Sequence, residues 1–153
     1  MTAELLLQLV TASAMVALTI LVHLFGLGVL LALLRFHTRR LMTREVLVNQ
    51  VLRLFGVALG LFAVHTVEIW SYAVLYRILD ALPRFEDALY FSTVTYTTIG
   101  YGDLTLARPW RILGAIEGAN GVILLGWSTA FFVSVVGRMR MLEHDWLDKS
   151  PPR

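Results

Sequence analysis

Cysteine is absent from the 153 residues, which excludes disulfides and thiolate metal sites and leaves the redox compartment unread. Charge is scarce as well. Only 16% of residues are Asp, Glu, Lys or Arg, where a soluble domain averages about 25%. The net charge of +2 is too small to suggest nucleic acid as a partner, and the basic residues gather beside apolar segments instead. Met1 to Glu4 brings no basic side chain ahead of the first apolar stretch, so a cleaved signal peptide is not expected. Internal repeats and low-complexity tracts are missing. A voltage sensor needs arginines about every third residue inside a span, whereas Arg35, Arg39, Arg40 and Arg44 fall between spans without that spacing. The residues after Gly137 are too few for a ligand-sensing domain, and nothing suggests catalysis or a bound cofactor.

What the chain has is apolar length. Hydrophobic residues make up 58%, above the roughly 45–50% of ordinary domains. A small soluble protein has too much surface to hide that excess, so the solvent expected for it is lipid. A helix needs about 20 apolar residues to cross a bilayer. Leu9–Leu34, Leu54–Tyr76 and Ile112–Gly137 all meet that requirement. The first is interrupted only by His23 among strongly polar side chains, and the second carries His65 and Glu68 between Arg53 and Arg77. Arg111 and Arg138 bound the third, and Pro109 precedes it at a position where its missing N–H costs nothing.

Between the second and third spans, Pro83 to Thr98 includes a helical stretch, Asp87 to Val94, too short to cross. Glu86 and Asp87 sit where negative charge favours the N-terminal end of a helix dipole. Non-helical backbone at membrane depth must be enclosed by protein, so this segment reads as re-entrant. Arg35, His37, Arg39, Arg40, Arg44 and Arg53 crowd the first connection and place it in the cytoplasm. The N-terminus then lies outside, the re-entrant segment enters from outside, and the C-terminus, with Arg138, Arg140 and Lys149, is cytoplasmic. The expected organisation is an N-terminal span with a basic cytoplasmic loop over 1–46, a pore domain over 47–142 and a short cytoplasmic tail over 143–153.

Thr98-Ile99-Gly100-Tyr101-Gly102 carries the most specific chemistry. An ion crossing a pore exchanges its water shell for oxygens at little net cost when successive backbone carbonyls from four copies face one axis. Gly100 and Gly102 permit backbone conformations that other residues resist. Thr98 adds a hydroxyl oxygen at the inner end, while Ile99 and Tyr101 are expected to turn away from the axis and pack behind the filter.

Asp87 to Asp103 resembles the pore loop of the potassium channel superfamily, with Thr97-Thr98-Ile99-Gly100-Tyr101-Gly102-Asp103 intact. The resemblance implies an all-α membrane protein of three transmembrane helices plus a re-entrant pore helix and selectivity filter. It also implies assembly as a homotetramer in the inner or plasma membrane of a cell. The second and third spans correspond to the family's outer and inner helices, and the first span is extra. Potassium would bind at Thr98, Ile99, Gly100 and Tyr101, with Gly102 completing the filter. Tyr90 and Phe91 stand where relatives carry a bracing aromatic pair. Val94 stands where some carry a carboxylic acid, which leaves Tyr90 as the donor expected to reach Asp103.

Several positions keep two readings. Glu117, inside the third span, is either a structural partner behind the filter or a gating and pH group. Gly121 is a hinge or a close helix contact. Gly126, Ala130 and Ser134, on the face that Ile123 begins, line a cavity or let helices approach. Trp127, Phe131 and Phe132 are expected to pack outward, with a constriction at Trp127 or Phe131 as the other reading. His65, Glu68 and Tyr72 share a face, either as a proton sensor or as a satisfied polar cluster. His23 is a packing residue or an interhelical hydrogen-bond donor. Rival functions are a nonselective cation channel, a non-conducting regulatory subunit, and a haem carrier ligated by His23 and His65.

Overall fold

The computed structural model describes residues 3–40 and 46–148, with side chains over 3–36 and 50–138. Four helices account for nearly all of it: α1 (Ala3–Arg40), α2 (Val46–Ile78), the short α3 (Phe85–Tyr96) and α4 (Arg111–Asp148), the last entered through a 3₁₀ turn at Arg108–Trp110. The stretches Ala3–Phe36, Gln50–Ile78 and Arg108–Arg138 are long and apolar enough to cross a membrane. No strand occurs among the described residues. α3 is too short to cross, as expected.

The helix ends differ from the sequence reading. The basic segment after Leu34, expected to be loop, continues α1 as far as Arg40. α4 likewise runs past Gly137 to Asp148. Loss of hydropathy marks where lipid would end, whereas a helix ends only where something breaks it. Neither Gly nor Pro occurs between Arg35 and Arg40, and Arg, Met and Leu after Gly137 are good helix formers. Arg44 and Lys149 lie outside the described residues, as do the side chains of His37, Arg39, Arg40 and Arg140.

α1 runs antiparallel to α2 and parallel to α4. Its buried face is one stripe, Gln8, Ala12, Met15, Thr19, His23 and Leu30, at helical spacing. Gly26 lies against Val64, and Gly60 against Leu30, so each glycine leaves room for a branched side chain of the facing helix. α1 therefore packs against other helices of its own chain. Ala12, Met15, Tyr72, Tyr76, Ala88, Phe91 and Leu113 belong to an apolar cluster at one end of the bundle. Leu30, Val57, Leu61 and Val135 form a smaller one at the other. Between them lies a buried polar layer that includes Thr19, His23, Glu68, Ser92, Glu117, Asn120 and Ser128.

Candidate functional site

The segment after α3 departs from ordinary backbone. Thr98, Gly100 and Gly102 have φ of 64°, 54° and 77°, while Ile99 and Tyr101 stay out of the positive-φ region. Alternating the handedness of successive residues cancels the pleat that makes carbonyls point to opposite sides of a strand. It is the condition for a row of carbonyls to share one side. A Cβ at Gly100 or Gly102 would meet nothing within 4 Å, so glycine is required there by the backbone rather than by space. Thr98, with a side chain, bears a left-handed cost of about 1–2 kcal/mol. The turn is tied to α3 by Thr98 N–H to Thr95 O (3.0 Å) and Gly100 N–H to Val94 O (3.0 Å). Thr97 donates its N–H (3.1 Å) and its hydroxyl (2.6 Å) to Thr93 O.

Within the single chain, Ile99 and Tyr101 are 53% and 70% exposed. The adjacent aromatic pair divides its work. The Tyr90 hydroxyl donates to Asp103 Oδ2 at 2.8 Å, as expected, and Asp103 Oδ1 accepts the Leu104 N–H at 3.0 Å. The bond to Asp103 raises the Tyr90 phenol above its ordinary range. Phe91 points the other way, edge-on to Tyr76 with centroids 5.4 Å apart and against Gly114. Val94 is buried.

Directly behind the start of the segment stands Tyr96, the last residue of α3 and fully buried. Its hydroxyl donates to Glu68 Oε2 and lies 3.0 Å from His65 Nδ1. His65 Nδ1 is also 3.0 Å from Glu68 Oε2, and its Nε2 is 2.8 Å from Ser128 Oγ. The other carboxylate oxygen, Oε1, pairs with His23 Nδ1 at 2.9 Å. Glu68 thus joins α1, α2 and α3, and His65 adds α4. The donor atoms of His23, His65 and Glu68 lie within 4.8 Å of one another, a nitrogen and oxygen set of the kind zinc accepts. Both oxygens of Glu68 and both ring nitrogens of His65 are engaged by neighbouring side chains, and His23 is engaged through Nδ1, while its buried Nε2 has no hydrogen-bond partner among the described residues. The two imidazoles stand 5.4 Å apart and share one carboxylate, which leaves no slot for a haem macrocycle between them.

Tyr72, expected with this cluster, places its hydroxyl instead 3.3 Å from Asn120 Nδ2, which also donates to Thr19 Oγ1 at 2.7 Å. Glu117 accepts from Tyr76 and Ser92, both at 2.5 Å, and so links α4 to α2 and α3. Gly121 lies where α4 meets the end of α3: a Cβ there would overlap the Tyr96 carbonyl. That is the close-contact reading of Gly121. Ile123, Gly126, Ala130 and Ser134 form an exposed face of α4, with nothing within 4 Å of a Cβ at Gly126. Phe131 and Phe132 pack on the Leu30 cluster, and Trp127 lies 6.2 Å from His23.

Sequence reading missed Tyr96, Ser92, Asn120, Thr19, Ser128 and Gln8, whose Oε1 accepts the Ile112 N–H at 3.1 Å. The available signal was polar side chains recurring at helical spacing inside apolar runs: Thr19 with His23, and Glu117 with Asn120. A family model described as ion channel matches residues 62–138, spanning the second half of α2, all of α3, the left-handed segment and the apolar part of α4. Comparison with curated proteins and with solved structures returns no match. The chain belongs to the ion channel family, through a two-span, potassium-channel-type domain at 62–138 to which α1 is an addition.

Proposed function

We propose that this chain is a potassium-selective channel subunit, four copies of which enclose one conduction pathway. The observation that carries the reading is the run of positive φ at Thr98, Gly100 and Gly102 in a Thr-Ile-Gly-Tyr-Gly segment between two membrane-length helices. Carbonyls turned to one side can replace the hydration shell of potassium ion by ion. One chain supplies one wall of such a site, so closure around an ion takes four. The exposed flanks of Ile99 and Tyr101 are the surface that neighbouring copies would cover. The face carrying Gly126, Ala130 and Ser134 would line the path below the filter.

Arg35, Arg53 and Arg138 flank the apolar spans on the same side of the bundle, which favours that side as cytoplasmic and the filter as facing outward. The protein then sits in the cell membrane with its N-terminus outside. The test is flux into liposomes holding the purified protein. Potassium uptake exceeding sodium uptake, lost in Gly100→Ala, supports the reading. Equal uptake of both ions by the wild type would make the protein a nonselective cation channel instead.

A further inference from the structure

Tyr96 is held at both ends. Its carbonyl is pressed against Gly121 of α4, while its hydroxyl is held by Glu68 and His65 of α2. It precedes Thr98 by two residues, and Thr98 N–H bonds back to Thr95. A shift of the Tyr96 ring is therefore transmitted to the first left-handed residue of the filter. What holds the ring is the carboxylate of Glu68, fully buried, with each oxygen assigned: Oε2 to Tyr96 and His65, and Oε1 to His23. A terminal carboxylate rotates easily about its last torsion. With Oε1 left empty in a buried site, rotation toward the remaining donors would recover a lost hydrogen bond and draw Tyr96 or His65 from its place.

We infer that α1 is part of the filter's support, with His23 as a positioning residue that holds the filter through Glu68 and Tyr96. Two described side-chain bonds from α1 to another helix, Gln8 Oε1 with Ile112 N–H and Thr19 with Asn120, end on α4. The His23 bond leads instead to the end of α3. The family match begins at residue 62, so His23 adds a hold on the filter from outside the two-span domain. The inference rests on reading Thr98 to Gly102 as the filter.

The experiment uses the full chain in liposomes, with two readouts: the potassium-to-sodium permeability ratio, and hydrogen exchange of the backbone over residues 97–103. His23→Leu removes the donor; His23→Asn keeps a nitrogen donor at the Nδ1 position. His23→Leu and Tyr96→Phe are each expected to lower the ratio and speed the exchange by about fivefold to tenfold, a usual size for coupling between sites. The double variant is expected to be no worse than Tyr96→Phe alone, since both act through one carboxylate. His23→Asn should stay within about twofold of wild type on both readouts. Thr19→Val, which loosens α1 one turn away, should change neither. Where the leucine variant does not assemble, Glu68→Gln carries the same test and should match Tyr96→Phe. Equal effects of His23→Leu and Thr19→Val would overturn the inference, because α1 would then act by packing alone. So would an unchanged His23→Leu beside an altered Tyr96→Phe. A wild type without potassium preference would defeat the filter reading, while the exchange readout would still decide whether His23 holds the segment.

Discussion

The bond between Tyr90 and Asp103 ties α3 to the residue that follows Gly102, and both residues are exposed. Losing it removes a hydrogen bond to a charged carboxylate. Tyr90→Phe is therefore expected to hasten loss of current during sustained recording by roughly threefold to tenfold, with the fold intact. The bond also has a pH signature. Tyr90 is raised by its bond to Asp103, so the contribution is fully present below the ordinary phenol pKa of about 10. It is lost as pH rises through the higher folded value. Ultraviolet titration should show one tyrosine fewer ionising late in Asp103→Asn than in wild type. Gly121 offers a second contrast at this scale. Gly121→Ala forces its Cβ into the Tyr96 backbone and should cost about 1–3 kcal/mol by overpacking. Gly126→Ala meets open space and should be neutral or slightly stabilising by helix propensity. Thermal unfolding of the two variants separates them; equal stabilities would remove the close contact from the account.

At the scale of elements, the spans and the re-entrant helix were legible because lipid imposes them. A crossing needs a fixed apolar length, and Leu9–Leu34, Leu54–Tyr76 and Ile112–Gly137 each supply it. The unusual backbone after α3 was legible because glycine at 100 and 102 answers a backbone demand, and both have positive φ. Helix ends were not legible, since Arg35 to Arg40 are compatible with loop and helix alike. Partnerships between distant helices were hidden for a different reason. Thr19 and Asn120 meet across 101 positions, and which faces meet depends on how the helices pack rather than on either sequence alone. The polar stripe of α1 announces that it binds protein and not only lipid, but not which residues it finds. Asn120→Leu should take the amide donor from the Tyr72 hydroxyl, costing about 1–3 kcal/mol, while the Thr19 hydroxyl keeps the Met15 carbonyl. By contrast, Asp87→Asn breaks a pair with Arg84, which is 74% exposed, and should change stability far less because solvent screens the pair. Denaturation of the two variants in parallel measures the difference between a buried and an exposed polar contact.

For the whole molecule, the division of surfaces is the informative feature. α1 covers one side of α2 and α4, while Ile99, Tyr101 and the Gly126–Ser134 face remain uncovered. Those uncovered parts belong to the domain matched as ion channel, at 62–138. Four copies arranged about the filter would bury them together, and light scattering of the detergent-solubilised protein should give a mass four times that of the chain once detergent is subtracted. The central claim is that this filter selects potassium. Its most direct test is the reversal potential of single-channel current with potassium on one side of a planar bilayer and mixed potassium and sodium on the other. The account predicts reversal close to the potassium equilibrium potential; reversal close to zero, with sodium carrying current as readily, would contradict it.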